Sequence, residues 1–272
     1  MLSLDSAFEM EPTDEPMQFR WSPAEELITP AGHLQGGAGL GATVAAMTAV
    51  TGRPLVWATA HYLSFAAGRT PLDLNVAVEV AGHHTTQARC VLSRDGAEVL
   101  TAHAALGARS FEHEGLWAGP TPVDAPEACP PYRFFDPVED AMGRFVDIRL
   151  AHGRQLDQLD GTPGSGRSAL WLRCWRGTHQ FTANDLAYLG DLMPLGFADA
   201  LGHPFGGTSL DNTIRVGELV ATRWVLLDVH IQQVHRGYGV GHAQLWAEDG
   251  TLLGAVSQST VMRLHRQART AT

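Results

Sequence analysis

The stretch Asp185-Leu-Ala-Tyr-Leu-Gly-Asp191-Leu-Met193 decides how this chain is read. Between Leu186 and Leu201 only Asp191 and Asp199 carry charge. A helix that is apolar nearly all round is a buried helix, here expected to run over Asp185–Leu201 inside its own curved sheet. Thr182, with Asp185 three positions on, has the layout of a capped helix start. An unpaired carboxylate in such surroundings is costly, so Asp191 should gain hydrogen-bond partners or a raised pKa. The plainer alternative puts Asp191 on an exposed stripe, or against backbone donors near Pro194.

Downstream the pattern changes. A turn-rich stretch carries Thr208-Ser-Leu-Asp211, and strand patterns follow at Asp211–Val216, Thr222–Gln232, Tyr238–Ala247 and Leu252–Arg263. In the last of these, Gln258 shares a face with Leu252, Gly254, Val256, Thr260 and Met262. Ser209 alternates with Asp211 and opposes Thr208 and Leu210, so only one of the two hydroxyls can face a given point. Carboxylate, hydroxyl and amide on three elements are a set able to hold and activate a water. Singly, each has an ordinary structural explanation.

The first half repeats this order. A Gly/Ala-rich helix pattern at Gly32–Thr51 precedes strand patterns at Leu55–Phe65, Leu72–Val80, Thr86–Ser93 and Glu98–Ala108. The hairpin signals Asp95-Gly96 and Asp249-Gly250 lie 154 residues apart, each followed by one more strand. One helix and a run of antiparallel strands, occurring twice, predict a duplicated α+β unit. The same offset sets Gly37 opposite Asp191 and Ala104 opposite Gln258, so the first unit lacks the polar set. Between the units, Gly115–Pro137 holds six prolines and reads as an ordered linker. Strands Phe145–His152 and Ala169–Trp175, joined by the flexible loop Asp160–Gly166, would open the second unit. The expected organisation is residues 1–112 as one unit, 113–141 as linker and 142–272 as the unit with the polar site.

Composition removes several function classes. All 19 basic residues are arginine, and without lysine neither Schiff-base chemistry, P-loop phosphate binding nor a Ser–Lys pair can operate. A net charge of −10 argues against a nucleic-acid surface. No run of about 18 apolar residues suggests a membrane span. The acidic start (Asp5, Glu9, Glu11, Asp14, Glu15) lacks a signal-peptide layout, and the three scattered cysteines suit a reducing cytoplasm. No CxxC or HExxH spacing supports a metal. His83, His84, His230, His235 and His242 read as solvated or strand-face residues. The run Gly36-Gly37-Ala-Gly39-Leu-Gly41 follows no strand and precedes no suitably placed acid, so close helix packing explains it better than a dinucleotide loop. A Gly-x-Ser-x-Gly nucleophile elbow is absent.

The second half resembles the acyl-CoA thioesterase II family, whose members are double hotdog proteins. The resemblance is carried by Leu186-Ala-Tyr-Leu-Gly-Asp191, Thr208-Ser-Leu-Asp211, Trp224-Val-Leu-Leu-Asp228, Arg236-Gly237, Glu248-Asp-Gly250 and Gln258-Ser-Thr-Val-Met-Arg263. Looser agreement appears at Gly36-Gly37, Ala60-His-Tyr-Leu-Ser-Phe65 and Arg94-Asp-Gly96. It implies an α+β double hotdog fold with two helix-wrapped antiparallel sheets in one chain. It also implies hydrolysis of acyl-CoA to free fatty acid and CoA, with Asp191, Ser209 and Gln258 holding the water. Acyl-CoA is then the partner, no cofactor is called for, and a homodimer or higher homo-oligomer is in keeping with curved hotdog sheets. The family usually follows its second Asp with His and, further on, an aromatic–His pair. Asn212, Thr213, Ile214, Arg215 and Val216 stand there instead, so chain-length preference does not carry over. Two rival functions remain at this stage. One is a hotdog acyl-CoA hydratase or dehydratase, which would need a His beside the helix carboxylate; the other is a non-catalytic acyl-CoA-binding protein.

Overall fold

The structure, a computed structural model, describes residues 4–134, 141–174 and 178–264. Residues 135–140 of the expected linker, Trp175 of an expected strand and residues 265–272 lie outside the described residues. In chain order the elements are β1 (Gln18–Trp21), α1 (Gly36–Thr51), β2 (Leu55–Tyr62), β3 (Leu72–Ala81), β4 (Thr85–Arg94) and β5 (Ala97–Gly107). They continue with β6 (Asp147–His152), β7 (Arg167–Arg173), α2 (Ala183–Gly190), α3 (Gly196–Leu201) and β8 (Phe205–Val216). Three long strands close the chain: β9 (Val225–His235), β10 (Tyr238–Ala247) and β11 (Leu252–Leu264).

Repetition is visible in the pairing. Strands β3, β4, β5 and β2 lie side by side over α1, and β8, β11, β10 and β9 do the same over α2 and α3. The two expected helix-wrapped sheets are joined: β2 and β8 pair antiparallel from Asp211↔His61 to Arg215↔Trp57, so all the strands named above lie in one antiparallel sheet, beside a small two-stranded pairing of Ala221–Thr222 with His179–Gln180. At that seam the hydroxyls of Thr59 and Thr213, again 154 residues apart, meet at 2.8 Å. The expected turn pair Asp95-Gly96 adopts φ of 51° and 79°, the two-residue hairpin that a twisted antiparallel ribbon favours.

Helix α1 starts at Gly36 rather than Gly32 because Gln35 caps it, its side chain accepting from Ala38 N–H at 2.6 Å. It ends on Gly52 at φ 63°, the left-handed stop that glycine adopts without strain. Its Gly/Ala content lets it press on the sheet: a Cβ at Gly39 would come within 2.8 Å of Leu100. The capping box at Thr182 and Asp185 forms as expected. The helix beyond it does not run through to Leu201. It stops at Gly190, passes through a 3-10 turn at Met193–Leu195 and resumes as α3. Pro194 supplies no N–H and cannot continue an α-helix, and Asp191 sits at the break as the C-cap of α2.

Two further boundaries move. β8 begins at Phe205, so Thr208 to Asp211 lies within a strand and not in a turn. Residues 141–145 are helical, and β6 begins only at Asp147. One apolar core runs between helices and sheet; a smaller outer cluster of Trp171, Trp224 and Trp246 is covered by the segment around Asp124, whose carbonyl accepts from Trp171 Nε1 at 3.0 Å. No helix among the described residues is long and apolar enough to cross a membrane.

Candidate active site

Asp191, Ser209 and Gln258 come together. Gln258 Nε2 donates to Asp191 Oδ1 at 2.8 Å and also to Ser209 Oγ. Asp191 Oδ2 accepts the backbone N–H of Gly37 at 2.8 Å, so the first unit's helix holds the second unit's carboxylate. A fourth side chain, which sequence reasoning missed, completes the arrangement: Asn212 Nδ2 donates to Asp191 Oδ1 at 3.1 Å.

A β-bulge explains both the convergence and the omission. Pairing of β8 with β11 runs Ser209↔Thr260 and then Asp211↔Ser259, leaving Leu210 as the extra residue. Without it Ser209 and Asp211 would share a face, as simple alternation predicts. With it, Asn212 moves onto the inner face with Ser209, opposite Gln258 and Thr260. Asp211 is turned out, and its Oδ1 accepts from Ser259 N–H at 3.1 Å. Ser209 is the hydroxyl that joins the set; Thr208 makes no side-chain hydrogen bond among the described residues. The signal that could have found Asn212 is its position where the resembling family carries His. On β11 the expected face holds from Gly254 to Met262, but an irregularity between Leu245 and Trp246 sends Leu252 to the outer cluster and Leu253 to the core.

The site is buried and short of partners. Asn212 and Gln258 are buried to 1% and 2% exposure, and Asn212 Oδ1, Gln258 Oε1, Thr260 Oγ1 and Tyr62 Oη have no hydrogen-bond partner. Buried polar atoms are normally paired, so these four are available to a polar ligand. Burial pushes the Asp191 carboxyl up to about 6, against the opposing pull of hydrogen bonds from Gly37, Gln258 and Asn212. That value places a carboxylate near neutral pH, where it can take and return a proton. Among the described residues no cluster of His, Cys, Asp and Glu is arranged to hold a metal.

In the first unit the equivalent positions are empty of this chemistry. Gly37 stands for Asp191, and the cross-strand pair Ala58↔Ala104 stands where the second unit has Asn212↔Gln258. Even the bulge is repeated, between Leu55 and Trp57, 154 residues before its counterpart. The backbone is duplicated; the polar set is present once.

The family description of the acyl-CoA thioesterase C-terminal domain matches residues 126–262. The chain belongs to the acyl-CoA thioesterase family. This thioesterase is also similar along its length to solved structures. A protein of Novosphingobium aromaticivorans, provisionally described as a thioesterase, is 30% identical, with 94% of this chain and 98% of that one covered and a TM-score of 0.81. A hotdog-fold protein of unknown function from Alicyclobacillus acidocaldarius is 19% identical, covering 96% and 98%, with a TM-score of 0.83. An acyl-CoA thioesterase II of Mycobacterium marinum is 17% identical, covering 97% and 99%, with a TM-score of 0.74. At such identities the last two speak to the fold, which is of the hotdog type. No curated protein matches this thioesterase.

Proposed function

We propose that the chain is a double hotdog enzyme that hydrolyses acyl-CoA to free fatty acid and CoA, by direct attack of a water held at Asp191, Ser209 and Gln258. The observation that carries this reading is a buried carboxylate with a pKa near 6, fixed by two amides and a backbone N–H beside an available hydroxyl. Residues 1–112 form the first hotdog unit, 113–141 the linker and 142–272 the unit that carries the polar set.

The roles follow from donors and acceptors. Gln258 spends both amide hydrogens on Asp191 and Ser209, which leaves the Ser209 hydroxyl hydrogen free to fix a water. Asp191 takes a proton from that water as its oxygen bonds to the thioester carbon. The carbonyl π pair moves onto oxygen, and collapse breaks the C–S bond and expels the CoA thiolate, which recovers the proton. Helix α1 has its N-terminus at Asp191. Its Gly37 N–H is taken by the carboxylate and its Ala38 N–H by Gln35, while Gly36 N–H has no partner among the described residues and is suited to polarising the carbonyl.

A hydratase reading is less well supported, since the hydrogen-bond partners of Asp191 are a glycine N–H and two amides, with no histidine among them. The test is CoA release across a panel from acetyl- to palmitoyl-CoA, with Asp191→Ala in parallel and crotonyl-CoA hydration measured alongside. Hydrolysis that disappears in the variant supports the reading. Crotonyl-CoA hydration without CoA release would replace it with the hydratase, and tight binding without turnover with an acyl-CoA-binding protein. The physiological setting that goes with this function is cytoplasmic fatty acid metabolism, with a homo-oligomer as the working form.

A further inference from the structure

Tyr62 ends β2 in the first unit, and its hydroxyl is buried beside the second unit's carboxylate without a hydrogen-bond partner. The two groups are close. A Cβ built on Gly36 would lie 3.1 Å from Tyr62 Oη and 3.2 Å from Asp191 Oδ2. Gly36 therefore keeps open a gap flanked by a hydroxyl on one side and the carboxylate on the other, and any larger residue would fill it. Gly36 N–H, at the start of α1, borders the same gap.

The hydroxyl stays a donor at every pH at which the enzyme would work. Burial first, and then the charge of Asp191, push its pKa well above the ordinary value of 10. Asn212 is near enough to oppose that shift. Yet no hydrogen bond of acceptable geometry joins them, and Asn212 Oδ1 is itself unpartnered. A neutral, desolvated O–H with no acceptor is costly in the resting enzyme. It becomes favourable only when an acceptor arrives, most of all one that is gaining negative charge.

Resting on the thioesterase reading, we infer that Tyr62 is a catalytic residue: its hydroxyl donates to the thioester carbonyl oxygen while water attacks, alongside the Gly36 N–H. No proton leaves the tyrosine. As the C–O bond forms and the carbonyl π pair moves onto oxygen, both donors face the developing oxyanion. Asp191 receives the water's proton, and the C–S bond then breaks to release thiolate. The active site thus draws its nucleophile-activating groups from the second unit and its oxyanion donors from the first.

The test is Tyr62→Phe in the full chain, compared with wild type on the best acyl-CoA of the panel. The second measurement is the infrared carbonyl band of a bound acyl-CoA ketone analogue in which CH2 replaces the thioester sulfur. Loss of one oxyanion donor should lower kcat by about 10²-fold with KM little changed, and should reduce the red shift of the ketone band on binding. Gly36→Ala, which crowds the gap by tenths of an ångström, should lower kcat in the same direction. If Tyr62 merely oriented Asn212, an Asn212→Ala background would erase the effect of Tyr62→Phe, and that result would overturn the inference. So would unchanged kcat and an unchanged band in a folded variant. Failure of the thioesterase reading looks different: wild type itself releases no CoA. The ketone band then decides, a Tyr62-dependent shift keeping the donor assignment and its absence removing it.

Discussion

Gly37 N–H donates to Asp191 Oδ2 at 2.8 Å across 154 residues of sequence, and these two positions are each other's counterparts in the two units. The contact is possible because glycine lets the helices close on one another. A Cβ at Gly37 would meet Ala187 O at 2.4 Å and Asp191 Cβ at 2.5 Å, closer than such atoms approach. Gly37→Ala is therefore expected to destabilise the fold by about 1–3 kcal/mol, the usual cost of overpacking, and to lower turnover by displacing the carboxylate. Thermal unfolding and CoA release on one preparation check both; an unshifted Tm would contradict the packing argument.

The raised Asp191 pKa sets a pH dependence with a definite sign. The group acts as a base only when ionised, so kcat/KM should fall as pH drops through about 6 and level off above it. Asn212 donates to the ionised form and holds that pKa down. Asn212→Ala should consequently move the acid limb to higher pH, with a smaller loss on the plateau. A pH–rate profile in which both enzymes share one midpoint would argue against Asp191 as the titrating base.

Replacing the carboxylate is the larger change. Asp191→Asn should lower kcat by about 10²–10⁴-fold, the scale of a positioned general base, in a protein whose circular dichroism matches wild type. Near-normal turnover on every acyl-CoA tested would remove Asp191 from the mechanism.

The hydroxyls give a finer contrast. Ser209 accepts from Gln258, whereas Thr208 makes no side-chain hydrogen bond among the described residues. Ser209→Ala is expected to cost about 3- to 10-fold in kcat, the worth of one neutral hydrogen bond. Thr208→Val should leave kcat within twofold of wild type, on the order of what a site making no such bond would show. Steady-state rates at saturating substrate distinguish the two, and equal losses would mean that the strand face has been misassigned.

Deleting Leu210 tests the bulge itself. Removal of the extra residue restores simple alternation and rotates either Ser209 or Asn212 off the inner face. Turnover should drop at least as far as in Ser209→Ala, because no register then keeps both residues against Gln258 and Thr260.

Much of this architecture is legible in the chain before any coordinates. The Asp-Gly turns and the capping box at Thr182 and Asp185 are local signals with short-range physical causes, the 154-residue offset is a repeat that shows along the whole chain, and the structure contains all three. The convergence of Asp191 and Gln258 with one of the hydroxyls at Thr208 and Ser209 is expected from their residue types, the family resemblance selects Ser209, and the structure brings Asp191, Ser209 and Gln258 together. The rest depends on long-range packing. The bulge at Leu210 carries no glycine or proline to mark it, so simple alternation sets Asn212 on the face opposite Ser209. The break after Gly190 puts Asp191 at the C-cap of α2 and Pro194 in the 3-10 turn that follows, a boundary that the apolar pattern running on to Leu201 does not mark. The pairing of β2 with β8 is a contact between two units, and alternation within one strand does not report it.

The paired alanines Ala58 and Ala104, and Gly37 as the counterpart of Asp191, have one more implication. In an assembly of two identical subunits, each substitution is made twice, and a buried acid in one copy obliges a buried acid in the other. A tandem chain is free of that symmetry. Among the described residues the first half has Gly37, Ala58 and Ala104 where the second has Asp191, Asn212 and Gln258, so the desolvation of that buried carboxylate is met once per chain rather than twice.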